Sequence, residues 1–195
     1  LGAALASSGA AAESIEAYDR SISITPTPIA LMGRARGYIA AGRFDDAIRD
    51  AGIVTKTPLE NINAFTLFQG YETLGLAYDK AGNAAAAEST FREGRRVLPI
   101  YSATLTEKLA VVLYTQGKKQ EALNELVAIR EQAGREMLGD SKAVFFRLGL
   151  LYAELGNNAE ARRNFQDFLA ATETNRSTAI TAYRKQAASA LSKLK

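Results

Sequence analysis

Four groups of residues in this chain have the types and spacing for chemistry. Asp45 and Asp46 are adjacent carboxylates, which can share acid–base work when their environments differ. Arg92, Arg95 and Arg96 form the densest cationic run, suited to phosphate or anionic lipid. Gly33-Arg-Ala-Arg-Gly37 has the look of a glycine loop. Asn175-Arg176-Ser177 is a glycosylation sequon. Each also has a plainer reading. Asp45 and Asp46 fall in the first turn of an expected helix, where negative charge complements the dipole. The arginines fit a solvated outer helix face. Gly33 to Gly37 has the wrong spacing for a phosphate loop and lies inside a helical stretch. Short sequons arise by chance.

The rest of the composition narrows the chemistry further. The chain has no histidine and no cysteine, which removes imidazole catalysis, thiolate nucleophiles, disulfides and Cys/His zinc sites. Neither a G-x₄-G-K-[ST] phosphate loop nor a G-x-S-x-G elbow occurs. The reading is therefore a protein that is not an enzyme, with no catalytic, cofactor-binding or metal site. Twenty-four cations against 21 anions give a net charge of +3, a near balance that argues against nucleic acid as partner. No run of 18 apolar residues exists to form a membrane span. Cysteine-free composition fits cytoplasm and periplasm alike. Leu1-Gly2-Ala3-Ala4-Leu5-Ala6 lacks the basic start of a signal peptide.

Low proline, high alanine and 47% apolar content make an all-helical chain. Its organisation emerges from Gly9, Gly42, Gly82, Gly117 and Gly156, spaced by 33, 40, 35 and 39 residues. Seven residues before each stands a small residue: Gly2, Ala35, Gly75, Ala110 and Gly149. Four before stands a large one: Leu5, Tyr38, Tyr78, Leu113 and Tyr152. Five after stands Ser14, Ala47, Ala87, Ala122 or Ala161, and nine after stands Tyr18, Ala51, Phe91, Leu126 or Phe165. Each glycine relaxes the turn between two antiparallel helices. The small residues let the helices approach, and the large ones, Tyr78 and Tyr152 included, are expected to be buried between them. Such pairs must stack to bury their apolar faces.

This frame resembles the tetratricopeptide repeat, with its pattern W-x₂-L-G-x₂-Y…A-x₃-F…P. Tyr71, Leu74, Gly75 and Tyr78 are followed by Ala87, Phe91 and Pro99; Phe145, Leu148, Gly149 and Tyr152 are followed by Ala161 and Phe165. The resemblance implies a right-handed α-solenoid of about five antiparallel helix pairs over residues 1–173, divided at about 1–26, 27–59, 60–100, 101–140 and 141–173. Pro58 to Lys80 reads as one long helix. The second helix of the fourth pair reads as running to about Met137, with Ser141 as the next N-cap. In the first pair, Leu1-Gly2 already stands mid-helix, so the reading expects either residues upstream or an open N-terminal edge. Ile180, Tyr183, Ala187, Leu191 and Leu194 form one apolar stripe, backed by Arg184, Lys185, Ser189, Ser192 and Lys193. Residues 174–195 therefore read as a C-terminal capping helix.

By the same resemblance, successive first helices line a concave groove that binds an extended peptide or a partner helix. Projected onto it, the groove residues are Met32, Arg36, Glu72, Leu76, Asp79, Glu107, Val111, Tyr114, Phe146, Arg147 and Leu150, with Glu154 beyond them. The clamp by which some repeats grip chaperone C-terminal carboxylates is not reproduced. Met32, Arg36 and Thr73 stand where Lys, Asn and Asn belong, only Lys108 matches, and Glu72 would repel a carboxylate. The function implied is a non-catalytic protein-interaction scaffold. Its rivals are a recognition or regulatory arm of a larger enzyme, and a module that self-associates through the incomplete first pair.

Overall fold

A computed structural model describes residues 10–133 and 142–194. Among the described residues lie ten α-helices: α1 (Ala11–Ile24), α2 (Pro28–Ala40), α3 (Phe44–Thr55), α4 (Ala64–Lys80), α5 (Ala84–Val97), α6 (Ser102–Thr115), α7 (Lys119–Ala133), α8 (Ala143–Glu154), α9 (Asn158–Ala171) and α10 (Thr178–Lys193). Short 3₁₀ turns at Leu59–Asn61 and Pro99–Tyr101 complete the set. The helices fall into two compact units, Leu1–Tyr101 and Ser102–Lys195.

One turn design recurs four times. Gly42, Gly82, Gly117 and Gly156 all have φ between 73° and 80°, the left-handed region that favours glycine. The glycine N–H donates to the carbonyl three residues back, as Gly42 does to Ile39 at 3.1 Å. The following N–H donates to the carbonyl of the large −4 residue, as Arg43 does to Tyr38 at 2.8 Å and Asn157 to Tyr152 at 2.8 Å. This Schellman closure satisfies the carbonyls that a helix end leaves open. Asn83 and Asn157 then cap the next helix through their side chains. Gly9 and Ser141 lie outside the described residues, as does the stretch running to Met137.

In the first unit, consecutive helices α1 to α5 pack pairwise, and α2 lies beside α4. Small residues set the approach. A Cβ on Gly33 would run into the Tyr18 ring, and one on Gly75 would run into the Phe91 ring. In the Gly82 pair the −7 and +9 positions, Gly75 and Phe91, therefore meet face to face. Ala35, Tyr38, Ala47, Ala51, Leu74 and Ala77 share a core with Ile15. Tyr78 is only half-buried, packed against that core rather than enclosed in it. The expected long helix from Pro58 is shorter. Ile62 is extended (φ −146°), and the Asn63 side chain caps Thr66, so α4 starts at Ala64.

An ionic cluster centred on the buried Asp50 ties α1, α2 and α3 together. Arg34 donates to both oxygens of Asp50, at 2.6 and 2.9 Å, and to Asp19 at 2.7 Å. Asp50 is 1% exposed. The two carboxylates, Asp50 first, raise the basicity of the Arg34 guanidinium and so keep the charge pair fixed.

In the second unit, α6 packs on α7, α7 on α8, α8 on α9, and α10 on both α8 and α9; α6 also lies beside α8. Phe145, Phe146, Phe165, Phe168 and Ala187 form its core, with Ile180, Tyr183, Leu191 and Leu194 of α10 packed against them. A Cβ on Gly149 would stand 2.6 Å from the Phe165 ring, repeating the Gly75–Phe91 arrangement. Tyr152 is again half-buried. Arg184 belongs to the inward side of α10, not its polar back. It donates to the Leu169 carbonyl at 2.5 Å and the Thr172 hydroxyl at 3.0 Å, neutralising the C-terminal end of α9.

Candidate functional site

The four candidate chemical groups are largely absorbed by local structure. Asp46 sits in the first turn of α3 between Arg43 and Arg49, at 2.5 and 2.6 Å, and these two hold its carboxyl below the usual range. Arg92 pairs with Glu88, and Arg96 with Glu93 at 2.7 Å, so the cationic run is largely spent along its own helix. Gly33 and Gly37 lie within α2, facing Tyr18 and Ile15. Asn175 accepts from the Ser177 N–H at 2.9 Å, and Ser177 caps α10, so the sequon builds a turn. Among the described residues no group of three His, Cys, Asp or Glu side chains could hold a metal, and no helix is long and apolar enough to cross a membrane.

The first-helix faces remain. Residues six before each turn glycine (Arg36, Leu76, Val111, Leu150) point outward to differing degrees. In the first unit Arg36 and Leu76 are exposed, while Glu72 and Asp79 are partly covered. The second unit brings its share together more tightly. Val111, Tyr114, Arg147 and Leu150 line a cleft with Ala110, Leu126, Leu151 and Glu154, about 130 Å³ in volume. Its floor is aliphatic. Its mouth is held by ions and one phenol. Tyr114 donates to Glu154 at 2.5 Å, and Lys119 reaches the other Glu154 oxygen at 2.7 Å. Across the opening, Arg147 contacts Glu107 and the Tyr183 hydroxyl, each at 3.5 Å. The Lys119 ammonium and Tyr114 hydroxyl keep the Glu154 carboxyl below the usual carboxylate range, and Glu154 in turn pushes both of them up.

Met32 and Phe146 are not on the open face. They are 2% and 1% exposed. Both stand ten residues before a turn glycine, and that offset points sideways at the next first helix. Phe146 of α8 stacks on Tyr183 of α10, with ring centroids 4.8 Å apart, and Glu107 of α6, at the same offset, reaches Arg147 of α8. Phe146 and Glu107 therefore make packing contacts with the neighbouring helix at this offset, while Glu72, at −10 from Gly82, is only partly covered. Lys119 and Leu126 come from a second helix, α7, and a search confined to first helices passes over them. The clamp position Thr73 is 4% exposed, so no carboxylate could reach it.

Two segments, residues 28–49 and 143–175, match models of the tetratricopeptide repeat. The solved structure of MamA is 20% identical, with a TM-score of 0.64 over 89% of this chain and 95% of that one. A thermophilic tetratricopeptide-repeat protein of Thermus thermophilus is 22% identical, with a TM-score of 0.62 over 97% and 95%. The C-terminal part of a repeat protein from Cytophaga hutchinsonii is 17% identical, with a TM-score of 0.66 over 98% and 70%. Comparison with curated proteins gave no match. These two segments match the tetratricopeptide repeat, and the all-α fold of the α-solenoid class is that of the solved repeat proteins. The repeat that these segments match is typically a unit of protein–protein interaction scaffolds.

Proposed function

We propose that this scaffold is non-catalytic and binds a peptide or partner helix on its first-helix face. In this reading the α6–α8 cleft seats one apolar side chain of the partner. The observation that carries it is the cleft's combination of an aliphatic floor with a mouth whose charges are already paired. An apolar side chain there gains burial without stranding a charge, while the rim ions mainly steer and select. The 130 Å³ volume is comparable to cavities of about 150 Å³ that admit a benzene-sized group. In the first unit, taken by itself, Arg36, Glu72, Leu76 and Asp79 form the corresponding first-helix face.

Selection of peptides from a displayed random library, followed by titration, tests this. The expected ligands share one Leu, Met or Phe, and Leu150→Asp weakens them at least tenfold in a protein that still unfolds cooperatively, though at a lower temperature because Leu150 packs partly against the core. Selected peptides that bind Leu150→Asp and wild type equally would move the site off the cleft.

A further inference from the structure

We propose that Arg147 makes the cleft selective for a partner segment in which an Asp or Glu stands within one helical turn of the apolar anchor. This rests on the cleft reading above and adds to it the residue that must accompany the anchor.

The pairing at the cleft mouth is uneven. On one side Glu154 accepts from Tyr114 at 2.5 Å and from Lys119 at 2.7 Å. On the other side Arg147 meets Glu107 through Nε and the Tyr183 hydroxyl through Nη2, each at 3.5 Å, beyond the usual span of such bonds. Its Nη1 has no hydrogen-bond partner among the described residues. The charge of Arg147 is therefore balanced by Glu107, while most of its five N–H donors are poorly met. Other partly buried guanidinium groups are closed by short bonds: Arg34 at 2.6, 2.7 and 2.9 Å, and Arg184 at 2.5 and 3.0 Å. Arg147 differs from them although its side chain is only 28% exposed. It is held instead by the Tyr183 ring, whose centroid lies 5.5 Å from the guanidinium carbon. That contact fixes the group without consuming an N–H.

Arg147 lines the same cleft as Leu150, one turn away on α8 and about 4.5 Å along the axis. An apolar side chain seated against Leu150 strips water from the guanidinium beside it. Unmet donors then cost more than they do in the open cleft. A ligand that fills the cleft therefore has to bring an acceptor with it. A carboxylate suits best, because its two oxygens match the guanidinium fork and charge-assisted bonds are about twice as strong as neutral ones. The short distance from Leu150 to Arg147 places that carboxylate three or four residues from the anchor on a helix, or two on an extended segment. A phosphate suits the place less well, because its second negative charge would crowd Glu107 and Glu154. A backbone carbonyl brings one neutral oxygen and no match for the fork.

The test runs the displayed-peptide selection in parallel on wild type and Arg147→Gln. Selected peptides are then made with amidated C-termini, so that side chains are their only carboxylates, and titrated by fluorescence anisotropy. Wild type should enrich Asp or Glu at one fixed spacing from the Leu, Met or Phe. Arg147→Gln should keep the anchor and lose that enrichment. Replacing the acid with its amide should weaken binding at least tenfold to wild type and less than twofold to Arg147→Gln. Arg147→Glu should turn the preference toward Lys or Arg at the same spacing. Arg147→Gln should melt close to wild type, since two 3.5 Å contacts hold little. Peptides that need Leu150 yet show no acid preference would overturn the assignment and leave the cleft reading standing. An acid preference that survives Arg147→Gln would do the same, as would tighter binding with phosphoserine in place of the acid. Peptides indifferent to Leu150→Asp would overturn the cleft reading, and this assignment with it.

Discussion

Replacing Phe146 with alanine separates packing from binding. The ring is 1% exposed and lies among Phe168 at 5.5 Å, Phe165 at 6.1 Å and Tyr183 at 4.8 Å between centroids. Its removal should cost about 3–5 kcal/mol, the usual loss for a fully buried aromatic. That is a large part of the roughly 5–15 kcal/mol that holds a domain together. With a urea slope of about 2 kcal/mol per molar, the midpoint should fall by about 1.5–2.5 M. The chain has no tryptophan, so circular dichroism at 222 nm and tyrosine emission are the probes. Hydrogen exchange should show α10 losing protection first, because Tyr183 loses its stacking partner. A cycle with Tyr183→Ala should return a coupling of about 0.5–1.5 kcal/mol, the increment of an aromatic pair beyond its buried area. Leu150→Ala, half-exposed on the cleft, should cost only about 1 kcal/mol. A Phe146→Ala protein within about 0.5 kcal/mol of wild type would show that α10 does not lie on α8 as described.

The glycines divide by surroundings. Gly149→Ala drives a methyl into Phe165 and should destabilise by about 1–3 kcal/mol, whereas Gly52→Ala meets nothing within 4 Å and should stabilise α3 by about 0.5–1 kcal/mol; thermal melts with the same sign for both would refute this. Asp50→Ala leaves Arg34 facing Asp19 alone and should cost about 3 kcal/mol in urea unfolding, the low end for breaking a buried pair because Arg34 is partly solvated. The cleft mouth should be pH-sensitive in both directions. Glu154 is held low, so its contribution is present above the unfolded carboxylate range and lost as pH falls through its folded value. Tyr114 and Lys119 are held high, so theirs is present below their unfolded values and lost as pH rises through the folded ones. In Glu154→Gln, ultraviolet titration should find the Tyr114 phenol ionising at lower pH than in wild type; an unchanged titration would mean that the 2.5 Å contact does not form in solution.

The turns are the most legible part of the fold because their physics is local. A left-handed residue followed by a carbonyl-closing N–H needs glycine at one position, and Gly42, Gly82, Gly117 and Gly156 all adopt it. The −7 and +9 positions are legible for a related reason. A helix pair that touches at a glycine requires an aromatic or aliphatic side chain opposite, and Gly75–Phe91 and Gly149–Phe165 make that contact. The start of α4 departs from the expected one because Pro58 suits a first helical turn equally well. What decides the boundary is the Asn63 cap after an extended Ile62, a competition between two acceptable start signals.

The binding face is less legible because it depends on a rotation of a few tens of degrees about each first helix, which one period of apolar residues cannot resolve. Apolar side chains at −10 and −6 both look like members of an open strip. Only the neighbour decides between them: Tyr183 of α10 stacks on Phe146, while Leu150 lines the cleft, although the two residues are one turn apart on α8. The polar members at −10 show the same geometry from the other side. Glu107 looks like a free rim charge in the sequence, yet it points along the row to Arg147. Glu107 therefore joins two first helices before it can meet a ligand. On the proposed reading, selectivity in the cleft rests, beyond Arg147, on groups beside the −6 column, Tyr114 and Glu154, and on Lys119, which enters from the adjoining second helix.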